Sequence, residues 1–139
     1  MQVKDIMSKD IAYLNLDDSV ERAAQLMKQY DVGSIPICSD KKVVGMVTDR
    51  DIAIRAVAEH QDLKTQKVSD IMSSKAVLGN PEMNVHDAAA IMSDKQIRRL
   101  PIVENNTLVG IVSLGDISLE PKLQDNAEVA LKNISEHTT

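Results

Sequence analysis

Tryptophan and phenylalanine are absent from this chain, and Tyr13 and Tyr30 are its only aromatic residues. The core must therefore be aliphatic, filled by Ile, Val, Leu, Ala and seven Met. Without an aromatic-basic stripe there are no stacking platforms for single-stranded nucleic acid. A net charge of −5 argues against phosphate-backbone binding as the main task. Cys38 is the sole cysteine, which excludes an intramolecular disulfide and a multi-cysteine zinc site. His60, His86 and His137 are scattered, with no i+4 partner and no carboxylate cluster, so metal-ligand spacing is missing. Nor is there a nucleophile–base constellation or a glycine-rich phosphate loop followed by Lys, and we expect no enzyme. No apolar run approaches about 18 residues and no signal-peptide pattern opens the chain, so a soluble, cytoplasmic protein without a membrane partner is expected.

What the chain does contain is a copy of itself. Residues 3–52 recur as residues 68–117 at a constant offset of 65 residues. Val3-Lys4-Asp5-Ile6-Met7-Ser8 becomes Val68-Ser69-Asp70-Ile71-Met72-Ser73, and Pro36-Ile37 becomes Pro101-Ile102. Gly45-Met46-Val47-Thr48-Asp49-Arg50-Asp51-Ile52 becomes Gly110-Ile111-Val112-Ser113-Leu114-Gly115-Asp116-Ile117. A repeat of this size is one supersecondary unit whose exposed face needs a neighbour. Two copies cannot build a solenoid, so a closed pseudo-twofold pair is the economical arrangement, with functional residues where the copies meet.

Each copy carries the same succession of patterns. Residues 11–14 are a short extended stretch, with residues 76–78 in the matching place. Asp18-Ser19-Val20-Glu21 has the form of a capping box, and Val20, Ala23, Ala24, Met27 and Tyr30 hold helical spacing through about Tyr30. In the second copy Asn84 and Asp87 are the cap partners, and Val85, Ala88, Ala89 and Met92 form the stripe. Strands are expected over residues 34–38 and 43–48, joined by the polar turn Ser39-Asp40-Lys41-Lys42, and again over residues 99–103 and 108–113. Near-continuous apolar runs such as residues 43–47 suggest strands covered on both faces, as in parallel sheets. A second helix spans residues 51–59 in copy one and stops near Leu119, before Pro121, in copy two. Past Glu120 the repeat is lost. Asp125-Asn126-Ala127-Glu128 is another capping-box form, and Ala127, Ala130, Leu131 and Ile134 make an apolar stripe.

The expected organisation is thus a first repeat at 1–60, a linker at 61–67, a second repeat at 68–120, and a C-terminal amphipathic helix and tail at 121–139. Strand, helix, strand, strand and helix, twice over, with Asp-Ile-Met, x-Pro-Ile and Gly-h-h-Thr/Ser-x-x-Asp motifs (h hydrophobic), resembles a tandem pair of CBS (cystathionine-beta-synthase) domains, a Bateman module. It is also similar to small stand-alone bacterial two-CBS proteins. The resemblance implies an α/β fold of two pseudo-twofold-related β-α-β-β-α repeats packed through their sheets.

Thr48 and Asp51, like Ser113 and Asp116, straddle a strand-to-helix junction, where unpaired amides favour anionic groups. A hydroxyl there can contact ribose or phosphate, and a carboxylate three residues on can accept from two ribose hydroxyls. Ser, Thr and Asp are equally the preferred helix caps, so the same residues also suit a purely structural role. Gly45 and Gly110 interrupt strand patterns, as happens where a backbone or ligand approaches closely. Arg98 and Arg99 precede the second x-Pro-Ile step, and an arginine fork matches phosphate oxygens. The first copy has Gly33-Ser34 there, so the phosphate capacity of the two copies is unequal.

The resemblance implies that the matching Thr/Ser and Asp bind the ribose-phosphate of adenine nucleotides. The two arginines resemble residues that contact phosphates in the regulatory gamma subunit of AMP-activated kinase. The adenine is expected among Ile11, Tyr13, Ile35, Leu78 and Leu100, with a plain core role as the alternative for all of these side chains, and Tyr13 and Leu78 stand where many family members have Thr. The implied function is a non-catalytic regulatory module binding AMP, ADP or ATP, with S-adenosylmethionine and NAD as further candidates, in clefts between the repeats. No cofactor is required. Family members commonly dimerise into a flat disc of four repeats, which implies a homodimer here, and the regulated protein partner is unknown. The alternative is a ligand-free interaction or dimerisation module that regulates a partner protein.

Overall fold

Asp18 closes a turn and leaves the helix cap to its neighbour. Its carboxylate accepts from the Asn15 N–H at 2.7 Å, while the Ser19 hydroxyl accepts from the Arg22 N–H at 3.0 Å and starts helix α1 (Val20–Tyr30). Val20, Ala23, Leu26 and Met27 are buried on this helix, whereas Ala24, expected on the same face, is exposed. The buried arc is centred on Ala23 and Met27, and Leu26 lies about 60° around the helix from Ala23 against about 100° for Ala24.

The structure, a computed structural model, describes residues 1–120 and 124–136. It comprises two compact units, Ala12–Ala76 and a second made of Met1–Ile11 with the residues from Val77 onward. Pro121, the side chain of Asp125 and His137 lie outside the described residues.

In the unit Ala12–Ala76, β1 (Leu14–Asn15) pairs parallel with β2 (Ser34–Ser39), and β2 pairs antiparallel with β3 (Lys42–Thr48). The hairpin turn places Asp40 and Lys41 at φ 52° and 68°, the left-handed pair whose twist suits a two-residue connection. The polar turn expected between these strands thus closes an antiparallel hairpin, and the parallel pairing in this unit is that of β1 with β2. Along β3, Val43, Gly45 and Val47 are buried while Val44 and Met46 are half-buried. The chain then enters α2 (Asp49–Asp51) and widens at Ile52–Val57 into π geometry, with the Ala58 N–H reaching the Ala53 carbonyl at 2.9 Å. The expected helix over residues 51–59 thus begins two residues earlier and is not α-helical throughout. Ala56 faces the core; Ile54 and Val57 are exposed.

The other unit repeats the plan. Asn84 accepts from the His86 N–H at 2.8 Å and caps α3 (Val85–Lys95), whose Val85, Ala88, Ala89 and Met92 are buried as expected. Strands β4 (Arg99–Glu104) and β5 (Thr107–Ser113) form a hairpin through Asn105 and Asn106, at φ 51° and 65°. The expected first strand at 76–78 contracts to a single bridge between Gly79 and Ile102. After α4 (Leu114–Leu119), α5 (Gln124–Glu136) packs on α3 and α4. It buries Ala127, Ala130 and Ile134, but Leu131, expected in that stripe, is 42% exposed.

Each Asp-Ile-Met segment packs with the hairpin of the other repeat. Val3 belongs to the core of Val85, Met92, Leu100 and Ile117, and Val68 and Ile71 to that of Leu14, Val20, Ile35 and Val47. Ser8 exchanges backbone hydrogen bonds with Ile111 (2.8 and 2.9 Å), and Ser73 does so with Met46 (both 2.9 Å). A sequence repeat is therefore not a packing unit: each core is built from parts of both copies.

Candidate functional site

The Gly-h-h-Thr/Ser-x-x-Asp motif lies at the step from strand to helix in both units, and its geometry is the same in each. The Thr48 hydroxyl accepts from the Asp51 N–H at 3.0 Å, and the Asp51 carboxylate accepts from the Thr48 N–H at 2.9 Å. Ser113 and Asp116 make the same two bonds at 3.0 and 2.9 Å. Both pairs are full capping boxes, so the structural role of these four residues is realised. Each box leaves chemistry over, however. The hydroxyl still has its proton to donate, and the carboxylate bonds the cap through only one of its two oxygens. All four residues are half-buried, within reach of solvent.

The surroundings of the two boxes differ. In the unit Ala12–Ala76 the second oxygen of Asp51 lies 3.9 Å from Nε of Arg55, and Arg55 also donates to the Ile71 carbonyl at 3.2 Å. The Asp49 carboxylate stands 3.0 Å from where a Cβ on Gly33 would be, so the ground held by an arginine in the second copy is flanked here by an acid.

In the other unit the Leu114 N–H bonds the Arg98 carbonyl at 2.9 Å, tying the start of β4 to the start of α4. That bond sets Arg98 and Arg99 beside the capping box. A groove of about 580 Å³ results, and its wall includes Arg98, Arg99, Ser113, Gly115 and Ser118. Neither guanidinium has an ion pair within 4.0 Å among the described residues. Asp116 joins this group through its bonds to Ser113. An anion entering the groove would meet two available forks and a hydroxyl. Sequence reasoning missed the part of the lining that α5 supplies through Ala127, Glu128 and Leu131. The amphipathic pattern of the tail marked a docked helix without saying where it docks.

The residues expected around a base differ in exposure. Ile35 and Leu100 are fully enclosed in their cores at 0% exposure. Tyr13 is 53% exposed, and Ile11 and Leu78 are half-buried. Cys38 is a buried strand residue whose thiol is pushed up by burial. Among the described residues no cluster of His, Cys, Asp and Glu is gathered that could hold a metal ion, and no helix is long and apolar enough to cross a membrane.

With the fold and these junctions in place, comparison with known proteins gives the class. The model of the CBS domain matches twice, over residues 3–57 and 68–121. The chain belongs to the CBS-domain family and carries a pair of these regulatory modules. It is 47% identical over 133 residues to the CBS domain-containing protein YhcV of Bacillus subtilis (strain 168), covering 96% of this chain and 94% of the relative. Among solved structures it is similar to Hypoxic Response Protein I with two coordinated zinc ions, at TM-score 0.79 and 30% identity over 86% of this chain and 98% of that one. It is similar too to the CBS domain pair of protein MJ0100 in complex with 5′-methylthioadenosine and S-adenosyl-L-methionine, at TM-score 0.75 and 30% identity over 86% and 94% of the two chains.

Proposed function

We propose that this CBS pair is a non-catalytic regulatory module that binds an adenosine-containing ligand, and that the ligand carries phosphate, as AMP, ADP or ATP do. The observation that carries this reading is the groove at the second repeat, which gathers Arg98, Arg99 and Ser113 on one wall. Two guanidinium forks without ion-pair partners among the described residues suit a phosphate group, and charge-assisted bonds of this kind are the strong ones. The Ser113 proton and the remaining oxygen of Asp116 offer ribose hydroxyls a donor and an acceptor. Support for an adenosine ligand comes from the MJ0100 domain pair, whose structure holds two adenosine derivatives. The junction at Thr48 and Asp51 has the same box without the arginines, so it serves as the weaker phosphate site.

Binding regulates only if the ligand favours one arrangement of the protein over another. The first test is thermal unfolding with AMP, ADP, ATP, S-adenosylmethionine or NAD in separate samples. A ligand at about 100 times its Kd stabilises the fold by ~2.7 kcal/mol, a shift of several degrees for a domain of this size. No shift with any of the five overturns the adenosine reading.

A further inference from the structure

Part of the groove's lining belongs to no repeat. It is the C-terminal helix α5, which places Glu128 in the groove that Arg98 and Arg99 also line. The helix is held firmly. Ala127, Ala130 and Ile134 are buried in the core of the unit, Asn133 donates to the Ser93 hydroxyl at 2.6 Å, and Asn126 bonds His86. Glu128 itself is exposed to the groove side and to solvent and makes no ion pair within 4.0 Å among the described residues. The groove therefore presents two cations from the repeat, with the Asp116 carboxylate bonded beside Ser113, and a further anion from a helix outside the repeat.

From this geometry we infer that α5 is a working wall of the ligand site and that Glu128 sets the charge the ligand brings. This rests on the reading of the groove as a phosphate site and adds a specificity to it. A single phosphate monoester can sit on the arginine side. A longer polyphosphate adds negative charge in a groove whose lining also carries the Glu128 carboxylate, and Glu128 repels each added charge. For unit charges several ångströms apart in water the penalty is roughly two- to six-fold in affinity per charge. Glu128 accordingly penalises a nucleoside triphosphate more than the corresponding monophosphate and offsets part of the attraction of the two arginines, and the helix that follows the repeats is the element that makes the distinction.

The test is calorimetric titration of the full chain and of Glu128→Gln with AMP, ATP and inorganic tripolyphosphate, at low and at high salt. Glu128→Gln keeps the side-chain shape and changes an exposed group, so the fold is retained, which circular dichroism verifies. The expected result is that ATP and tripolyphosphate gain at least about threefold more affinity than AMP does, with the difference shrinking at high salt. An unchanged ratio of ATP to AMP affinity overturns the role of Glu128 while leaving the nucleotide site intact. If tripolyphosphate binds and responds to Glu128→Gln but neither nucleotide binds, the adenosine reading fails and the charge-setting role stands. If none of the three binds either protein, both fail together.

Discussion

The carbonyl oxygen of Ser73 lies 2.8 Å from where a Cβ on Gly45 would stand, with the sulfur of Met72 at 2.6 Å. Gly45 is thus fixed by the backbone of the Asp-Ile-Met-Ser segment that docks against β3. At Gly110 the nearest obstacle is the Met7 sulfur at 2.5 Å, and the Ser8 carbonyl is farther, at 3.2 Å. A thioether can swing aside, whereas a hydrogen-bonded carbonyl cannot without breaking its bridge. Gly45→Ala should therefore cost about 1–3 kcal/mol, and Gly110→Ala clearly less. Urea unfolding of both variants checks the order, and equal losses would contradict it.

The capping boxes separate stability from binding. Thr48→Ala and Ser113→Ala should each lose about 1 kcal/mol of stability. Ser113→Ala should also weaken AMP binding, since its hydroxyl lines the groove. Ser19→Ala removes a cap of the same kind at α1 and serves as the control, with a similar loss of stability and no change in AMP affinity.

Removing either arginine tests the phosphate reading. A charge-assisted hydrogen bond contributes roughly 1.5–3 kcal/mol, so Arg98→Ala or Arg99→Ala should weaken AMP by about ten- to a hundredfold. The affinity for adenosine, which has no phosphate, should stay the same. Neither arginine has an ion pair among the described residues, and stability should move by no more than about 0.5 kcal/mol. Equal losses for AMP and adenosine would remove phosphate from the account.

Lys41 sits at φ 68° in the first hairpin, where Asn106 occupies the matching place at φ 65° in the second. Asparagine tolerates the left-handed region, and lysine pays there for its Cβ. Lys41→Gly should raise stability by roughly 0.5 kcal/mol, while Asn106→Gly should be near neutral. Thermal unfolding compares the two directly.

Burial raises the pKa of the Cys38 thiol above the ordinary value of 9.0. The unfolded chain therefore loses this proton at lower pH than the folded one. The contribution to stability is complete below the ordinary thiol value and falls away as pH rises through the folded one. Cys38→Ala should flatten that alkaline decline in a pH series of urea midpoints. The wild-type thiol should react with a disulfide reagent only as fast as the protein opens.

Much of the architecture was legible along the chain because it is local. The stripe at Val85, Ala88, Ala89 and Met92 follows from helical spacing alone, and the turn at Asp40-Lys41 from a polar stretch between two apolar ones. Where the reading slipped, a neighbour distant in sequence had decided the matter. Ala24 gave way to Leu26 once the helix met its core, and the expected strand at 76–78 shrank to one bridge at Gly79. The part of the groove that α5 lines was not legible, because the pattern of α5 shows that it has a buried face but not which surface receives that face.

By itself the sequence determined the duplicated plan, the aliphatic core, the CBS motif and its capping chemistry. These depend on contacts between near neighbours and on residue types that recur at a constant offset. The tertiary structure alone decided that each Asp-Ile-Met segment completes the core of the other repeat, and that Glu128 shares a groove with Arg98 and Arg99. Both are meetings of segments far apart in the chain. They are set by which apolar surfaces bury one another, a choice no local pattern encodes.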